Sequence, residues 1–410
     1  MGTFVRFHLT RSPTSWAATV KRCLLPTTVR TLEDIMRSSI SPKTPVRPLH
    51  LVPLAGLVAA SLILIPLGVR VLAHTYPSGI ISYWNLDEGS GAVADDAVGV
   101  SVANVSGAAW TAGQVNAALQ FDGTDDYAQA VNAVFPIATV EAWVKLDSYP
   151  TQYRYGIVAA STGPGGCTFS EILEVDPSGK ASFYHWDGTA IRRPVGTTTL
   201  QLGQWYHLAA TLQYPGYLTL YVNGQAEASM PIVDSHQDYP QVVFSFAVAC
   251  WGYLYSHESF NGALDEVAIY SSALSAEEIR QHYQNGLEGL GYEVVLRPEI
   301  DIKPGSYPNS INLESAGAVP VAILSSATFD AQTVNPDTVS LAGARVKLVG
   351  KSSRYLCRGE DVNGDGLVDL VCHVETAQFM IEPGESVAIL EAETFDGTSV
   401  RGKDSVTIVR

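Results

Sequence analysis

Between residues 80 and 290 the chain is written as short β-prone runs broken by turn residues. The sharpest is "YLTLYVNGQAEASM" (217–230), where Asn223-Gly224 separates two arms rich in Tyr, Leu, Val and Ala. Two adjacent residues that tolerate positive φ specify a tight hairpin and with it the pairing of the arms. "TVEAWVKL" (Thr139–Leu146) alternates Val140, Ala142, Val144 and Leu146 against Thr139, Glu141, Trp143 and Lys145, which predicts a two-faced strand. "SGIISYWNLDEGSG" and "AALQFDGTDDYAQA" are further strand-turn units. One helical pattern interrupts them, "LSAEEIRQHYQNGL". Ser275 and Glu278 form a capping box there, and Asn285-Gly286 is the expected stop.

Many short strands, even turn spacing and one helix predict an all-β sandwich or jelly roll. Composition agrees, with 35 Gly, 19 Tyr and only 16% charged residues in a chain of 410. That length asks for more than one core. The order "YWNLDEGSG", "ALQFDGTDDY", "TVEAWVKL", "QWYHLAATL", "FNGALDEVAIYSSALSAEEI" resembles the laminin-G-like, concanavalin-A-like lectin/glucanase domain, covering residues 80–290. The resemblance implies a jelly roll of two antiparallel sheets that binds carbohydrate or protein, often with a structural calcium. It also puts Asp87, Glu88, Asp122 and Asp265 at family-like positions for such an ion.

Residues 1–50 form a basic n-region, and Leu51–Val69 is a 19-residue run without a charge. Its length approaches a bilayer span, and Arg37, Lys43 and Arg47 before it predict a cytoplasmic N-terminus. Residues 51–73 are therefore read either as a signal peptide cleaved after "VLA" (Val71–Ala73) or as a signal anchor. Both readings export the remainder, so the protein is expected outside the cell or on its surface, touching the membrane only through this segment. Nine of the 25 Lys/Arg lie in residues 1–73 with only Glu33 and Asp34. The exported part thus keeps 16 bases against 39 acids, a net of −23. Such a surface repels nucleic acid. Export permits disulfides, and of the three pairings open to four cysteines, Cys167–Cys250 with Cys357–Cys372 keeps each bridge within one domain.

From about residue 297 a second, smaller β-sandwich-like domain is expected to reach residue 410. Pro304, Pro308 and Pro320 punctuate its strands and argue against helices. The entry "EIDIKPGSYPNSINLESAGAVPVAIL" resembles a domain recurring at the C-termini of bacterial exported proteins. Within it lies "CRGEDVNGDGLVDLVC" (357–372). Asp361, Asn363, Asp365, the Leu367 carbonyl and Asp369 stand at positions 1, 3, 5, 7 and 9, with Gly366 at 6, an all-oxygen spacing suited to calcium. Position 12 is Cys372, too soft a ligand for that ion. The strand-like flank "VDLVCHV" makes the loop similar to the calcium hairpins of integrin-like repeats, and calcium is the cofactor expected. A metal-free turn held by side-chain-to-backbone hydrogen bonds is the competing reading.

Catalysis is not expected, and no catalytic residue is assigned. Retaining glycosidases need two carboxyls about 5–5.5 Å apart. Of the candidates, Glu174 and Asp176 share a strand face while Glu171 points away, and Glu299 and Asp301 are followed by Pro304-Gly305 instead of a further acid. The nine histidines show no metal-ligand spacing, and there is no G-x-S-x-G elbow. "YHWDG" and "CWGYLYSHESF" place Trp186, Asp187, Trp251 and Tyr253 in loop-like settings suited to stacking on sugar rings. Trp143 and Trp205 read as core. The sequence therefore points to an exported bacterial binding or adhesion protein for carbohydrate or a matrix or envelope polymer. The alternatives are a glycoside hydrolase of the glucanase clan and a structural envelope component.

Overall fold

The computed structural model describes residues 75–99, 101–132, 137–161, 169–187, 189–232, 242–248, 257–351, 353–381 and 386–409. The apolar run Leu51–Val69, Cys167, Cys250, Trp251 and Tyr253 lie outside the described residues. No helix among those residues is long and apolar enough to cross a membrane.

Two sheets face each other. The front sheet runs Gln225–Ile232, Gly216–Val222, Trp205–Leu212, Thr139–Leu146, Asn261–Tyr270, Ala117–Asp122, Ala109–Ala112, with Ile80–Trp84 also paired to Asn261–Tyr270. The back sheet includes Lys180–Trp186, Phe169–Val175, Arg154–Ser161, Val242–Val248, Tyr127–Asn132 and Ala103–Ser106 in that order. Asn223 and Gly224 both have positive φ at the hairpin that joins Val222 to Gln225, as the dipeptide predicts. Val140, Ala142, Val144 and Leu146 point into the core between the sheets, where Trp84 meets Phe244 and Phe246 edge-on.

The opposite face of Thr139–Leu146 is buried too. Trp143 packs there with Tyr83, Tyr270, Ile279 and Tyr292, beneath the helix Ala276–Leu287 and the segment after it. The capping box is formed as expected. The stop is not where Asn285-Gly286 placed it. The helix passes through both residues, and the left-handed glycine after its end is Gly289, with φ +72°. Gly286 instead permits close packing, since a Cβ there would lie 2.4 Å from the Trp143 ring.

The second domain holds its own core, including Ile302, Val321, Ile323, Leu341, Cys372, Val374 and Leu390. One sheet orders Val295–Leu296, Ser399–Ser405, Val387–Glu393, Ser340–Leu341 and Ala344–Arg345. A second orders Ile300–Ile302, Ala318–Ile323, Asp369–Glu375 and Cys357–Glu360. Val295–Leu296 pairs in parallel with Ser399–Val400, so the segment leading to residue 297 joins this sheet. The architecture is thus a jelly-roll sandwich followed by a further β domain.

Candidate functional site

On the back sheet, the strand Lys180–Trp186 sends Ala181 and Phe183 into the core and turns Ser182, Tyr184 and Trp186 to the other face. The neighbouring strand sets Glu174 opposite Ser182, whose hydroxyl donates to Glu174 Oε2 at 3.1 Å. Glu174 is fully buried. Arg193 Nε approaches the same oxygen at 3.0 Å, and Arg154 Nε at 3.6 Å. The Arg193 guanidinium also lies over the Tyr184 ring, 5.2 Å from its centroid. Each arginine side chain stays about a third exposed, at 28% and 33%.

One buried carboxylate therefore orients two guanidiniums that reach solvent. Trp186 is 39% exposed, at the end of a strand and not in the loop-like setting expected of it. Asp187 differs from that expectation. It is 1% exposed, accepting hydrogen bonds from the Thr189 amide and hydroxyl, the Ala190 amide and Arg192 Nε. Burial alone would raise its pKa, but those donors hold its carboxyl well below the usual range. Asp187 locks the turn that aims Trp186 outward, and its oxygens are already engaged.

The acids weighed for hydrolysis are dispersed in role. Asp176 closes its own turn by accepting from the Ser178 and Lys180 amides. Glu174 is engaged by arginine. Asp301 is raised by burial and by Asp404 in the second domain.

Residue-by-residue reading of the sequence missed a polar cluster under the helix. Glu141 accepts from Tyr270 Oη at 2.6 Å and faces His282 Nδ1 at 2.9 Å and His207 Nε2 at 3.2 Å. Burial pushes this carboxyl up, yet the two imidazoles bring it down to about 2. All four groups are buried, so the cluster ties the helix to the sheet and meets no ligand. Its signal was present in the polar positions of "TVEAWVKL" and "QWYHLAATL", which alternation alone assigns to solvent.

Asp265 and Glu266 sit at a bulge in Asn261–Tyr270, both with less than 2% exposure. Asp265 Oδ2 accepts from the Val115 amide at 2.9 Å, and Glu266 Oε2 accepts from the Tyr83 hydroxyl. The second oxygen of each carboxyl has no partner. Burial is the main cause that raises Asp265 to about 8, with Asp87 adding to it. Glu266 is raised well above its usual value by burial and by Asp265. Asp87 accepts from Ala117 and Asn116, while Asp122 belongs to a separate exposed turn with Asp125 and Asp126. The four acids at family-like positions do not form one group.

In the second domain the loop Asp361–Asp369 is wound as its spacing predicts. Gly364 and Gly366 have positive φ. Asp361 accepts from both of their amides, at 2.8 and 3.0 Å. Asp365 accepts from the Leu367 amide and the Asn363 side-chain amide. Asp369 is buried and accepts from Ser325 and Val362. The donor set, oxygen only, fits a hard cation. Among the described residues, however, the three carboxylates that come within 4.8 Å of one another are Asp122, Asp125 and Asp126, not those of this loop. Cys357 and Cys372 face each other across the hairpin arms and form the expected disulfide. The second expected bridge, Cys167–Cys250, lies outside the described residues.

Residues 122–280 match the Laminin_G_3 family, described as the concanavalin A-like lectin/glucanases superfamily. No curated protein matches the chain. Among solved structures, Trypanosoma rangeli sialidase is similar at 18% identity and a TM-score of 0.40, over 50% of this chain and 32% of that one. Domain 4 of AbnA, an extracellular GH43 arabinanase from Geobacillus stearothermophilus solved with arabinotriose, is 18% identical with a TM-score of 0.38, over 50% and 97%. The binding domain of Paraclostridial Mosquitocidal Protein 1 is 12% identical with a TM-score of 0.42, over 77% and 75%. The chain spans about a third of the sialidase it matches. None of these likenesses bears on ligand or activity.

Proposed function

We propose that this protein is exported and binds carbohydrate without cleaving it, through the outer face of the back sheet. The observation that carries this reading is the exposed Trp186 on the strand whose Ser182 bonds the buried Glu174, the carboxylate that holds Arg193 and Arg154. An exposed indole offers a flat apolar face to the C–H side of a sugar ring, and guanidiniums offer forked donors to its hydroxyls. The C-terminal loop is proposed to hold calcium through Asp361, Asn363, Asp365, the Leu367 carbonyl and Asp369, stiffening the second domain.

A glycan array probed with the full chain tests the binding role. Trp186→Ala should weaken the strongest hit about tenfold, the scale of one lost stacking contact, and leave the melting temperature unchanged. Release of reducing ends from that glycan would establish an enzyme. An array with no hit, or a hit indifferent to Trp186→Ala, would remove this face as the site.

A further inference from the structure

Residues 74–410 carry 16 basic residues against 39 acids, and four of those 16 line one cavity. It is about 400 Å³ in volume and lies between the helix Ala276–Leu287 and the sheet strand Ser399–Ser405. Arg280 comes from the helix, Arg297 from the segment just after Val295–Leu296, and Arg401 and Lys403 from the strand. The acids on its walls are Glu288 and Glu299. Arg401 also lines a second cavity of about 390 Å³ along the same strand, which adds Arg345 and the hydroxyl residues Thr338 and Ser340 together with two acids, Glu391 and Glu393.

The cations are only partly committed. Glu288 accepts from Arg297 Nη1 at 2.9 Å and lies 3.6 Å from Arg401 Nε, while Glu391 lies 3.5 Å from Arg401 Nη1, which fixes those two guanidiniums in the wall. Arg280 pairs with Glu277 one turn back along the helix, and both are well exposed. Such a surface pair is weak and yields readily to a competing anion. Lys403 is exposed, and among the described residues it has no ion-pair partner.

We infer that this cleft between the domains is a second binding site, for an anionic saccharide bearing carboxylate or sulfate groups. Arg401 and Lys403 are two apart on one strand, so they lie about 7 Å apart on the same face. A small anion would engage one of them, whereas a chain with successive charges engages both. Two adjoining cavities along the strand give such a chain room, within the size of ordinary ligand clefts. Elsewhere the acidic surface repels a polyanion, so attraction is confined to within about a Debye length of the cleft.

Calorimetric titration of the full chain near physiological salt, with a tetragalacturonate and separately with a chondroitin sulfate tetrasaccharide, tests this site. At least one should bind, and which one tells carboxylate from sulfate recognition. Lys403→Glu and Arg280→Glu, each at an exposed position, should each weaken that binding about tenfold or more. Trp186→Ala should leave it unchanged, which keeps this site distinct from the one on the back sheet. Four outcomes would overturn the inference: no heat with either saccharide, binding of inorganic sulfate alone, equal binding of single-stranded DNA, or charge reversals without effect.

Discussion

Asp265 and Glu266 in the jelly roll, and Asp361 and Asp369 in the second domain, are all acids placed near other acids, and they differ in how many donors meet them. In the jelly roll each carboxyl has one oxygen with a donor and one without. In the loop every oxygen of Asp361 and Asp369 accepts a backbone amide. A carboxyl buried short of donors, as Asp265 and Glu266 are, is pushed toward its protonated form. The difference is also one of distance along the chain. The donors to Asp361 lie 3 and 5 residues away, whereas Val115 lies 150 residues from Asp265.

The largest test of that contrast is Asp265→Asn. The folded pKa of Asp265, about 8, is raised above its ordinary value of 3.8. Its favourable contribution is therefore complete below 3.8 and is lost as pH rises through about 8. At pH 7 the loss is on the order of a few kcal/mol, each unit of displacement counting for about 1.4 kcal/mol. Denaturant unfolding from pH 4 to 8 should show the wild type weakening relative to Asp265→Asn. Parallel curves would mean that Asp265 keeps its charge and that the contrast is false.

The second test concerns what holds the acidic loop closed. Cys357 and Cys372 enclose it with a separation of 15 residues, a closure that stabilises by about 3 kcal/mol. Replacing both by Ala should lower the urea midpoint of the second domain accordingly. A loss below about 1 kcal/mol would show that the amide-to-carboxylate bonds hold the hairpin unaided.

The same difference in distance decides what could be read from the sequence. The Asn223-Gly224 hairpin, the Ser275/Glu278 box and the winding of Asp361–Asp369 are local, and each was legible. Alternation in Thr139–Leu146 gave the inner face correctly. It could not reveal that the outer face is covered, because that depends on a helix starting at Ala276. Gly286 was mistaken for a stop for the same reason, since the residue that needs its missing Cβ is Trp143. On the back sheet the Glu174–Arg193–Arg154 set was not legible, because three separate segments contribute to it.

Calcium gives the smallest expected effect and the most direct test of the loop. Asp361 and Asp369 already have backbone donors on each oxygen, so the loop can hold its shape as an ordinary turn. Each carboxylate oxygen retains a second lone pair, and an ion drawing on those would add to the existing bonds instead of replacing them. Asp365 discriminates between the two states. It is exposed, and without metal it accepts only from Leu367 and Asn363, so Asp365→Ala should cost little by itself. At ten times its dissociation constant, calcium should stabilise the wild type by about 1.4 kcal/mol. That corresponds to a rise of a few degrees in the melting temperature of the second domain, measured by calorimetry on the full chain. EDTA should reverse the rise, and Asp365→Ala should abolish it. A wild type indifferent to both calcium and EDTA would make the loop a turn whose charges are met by amides alone.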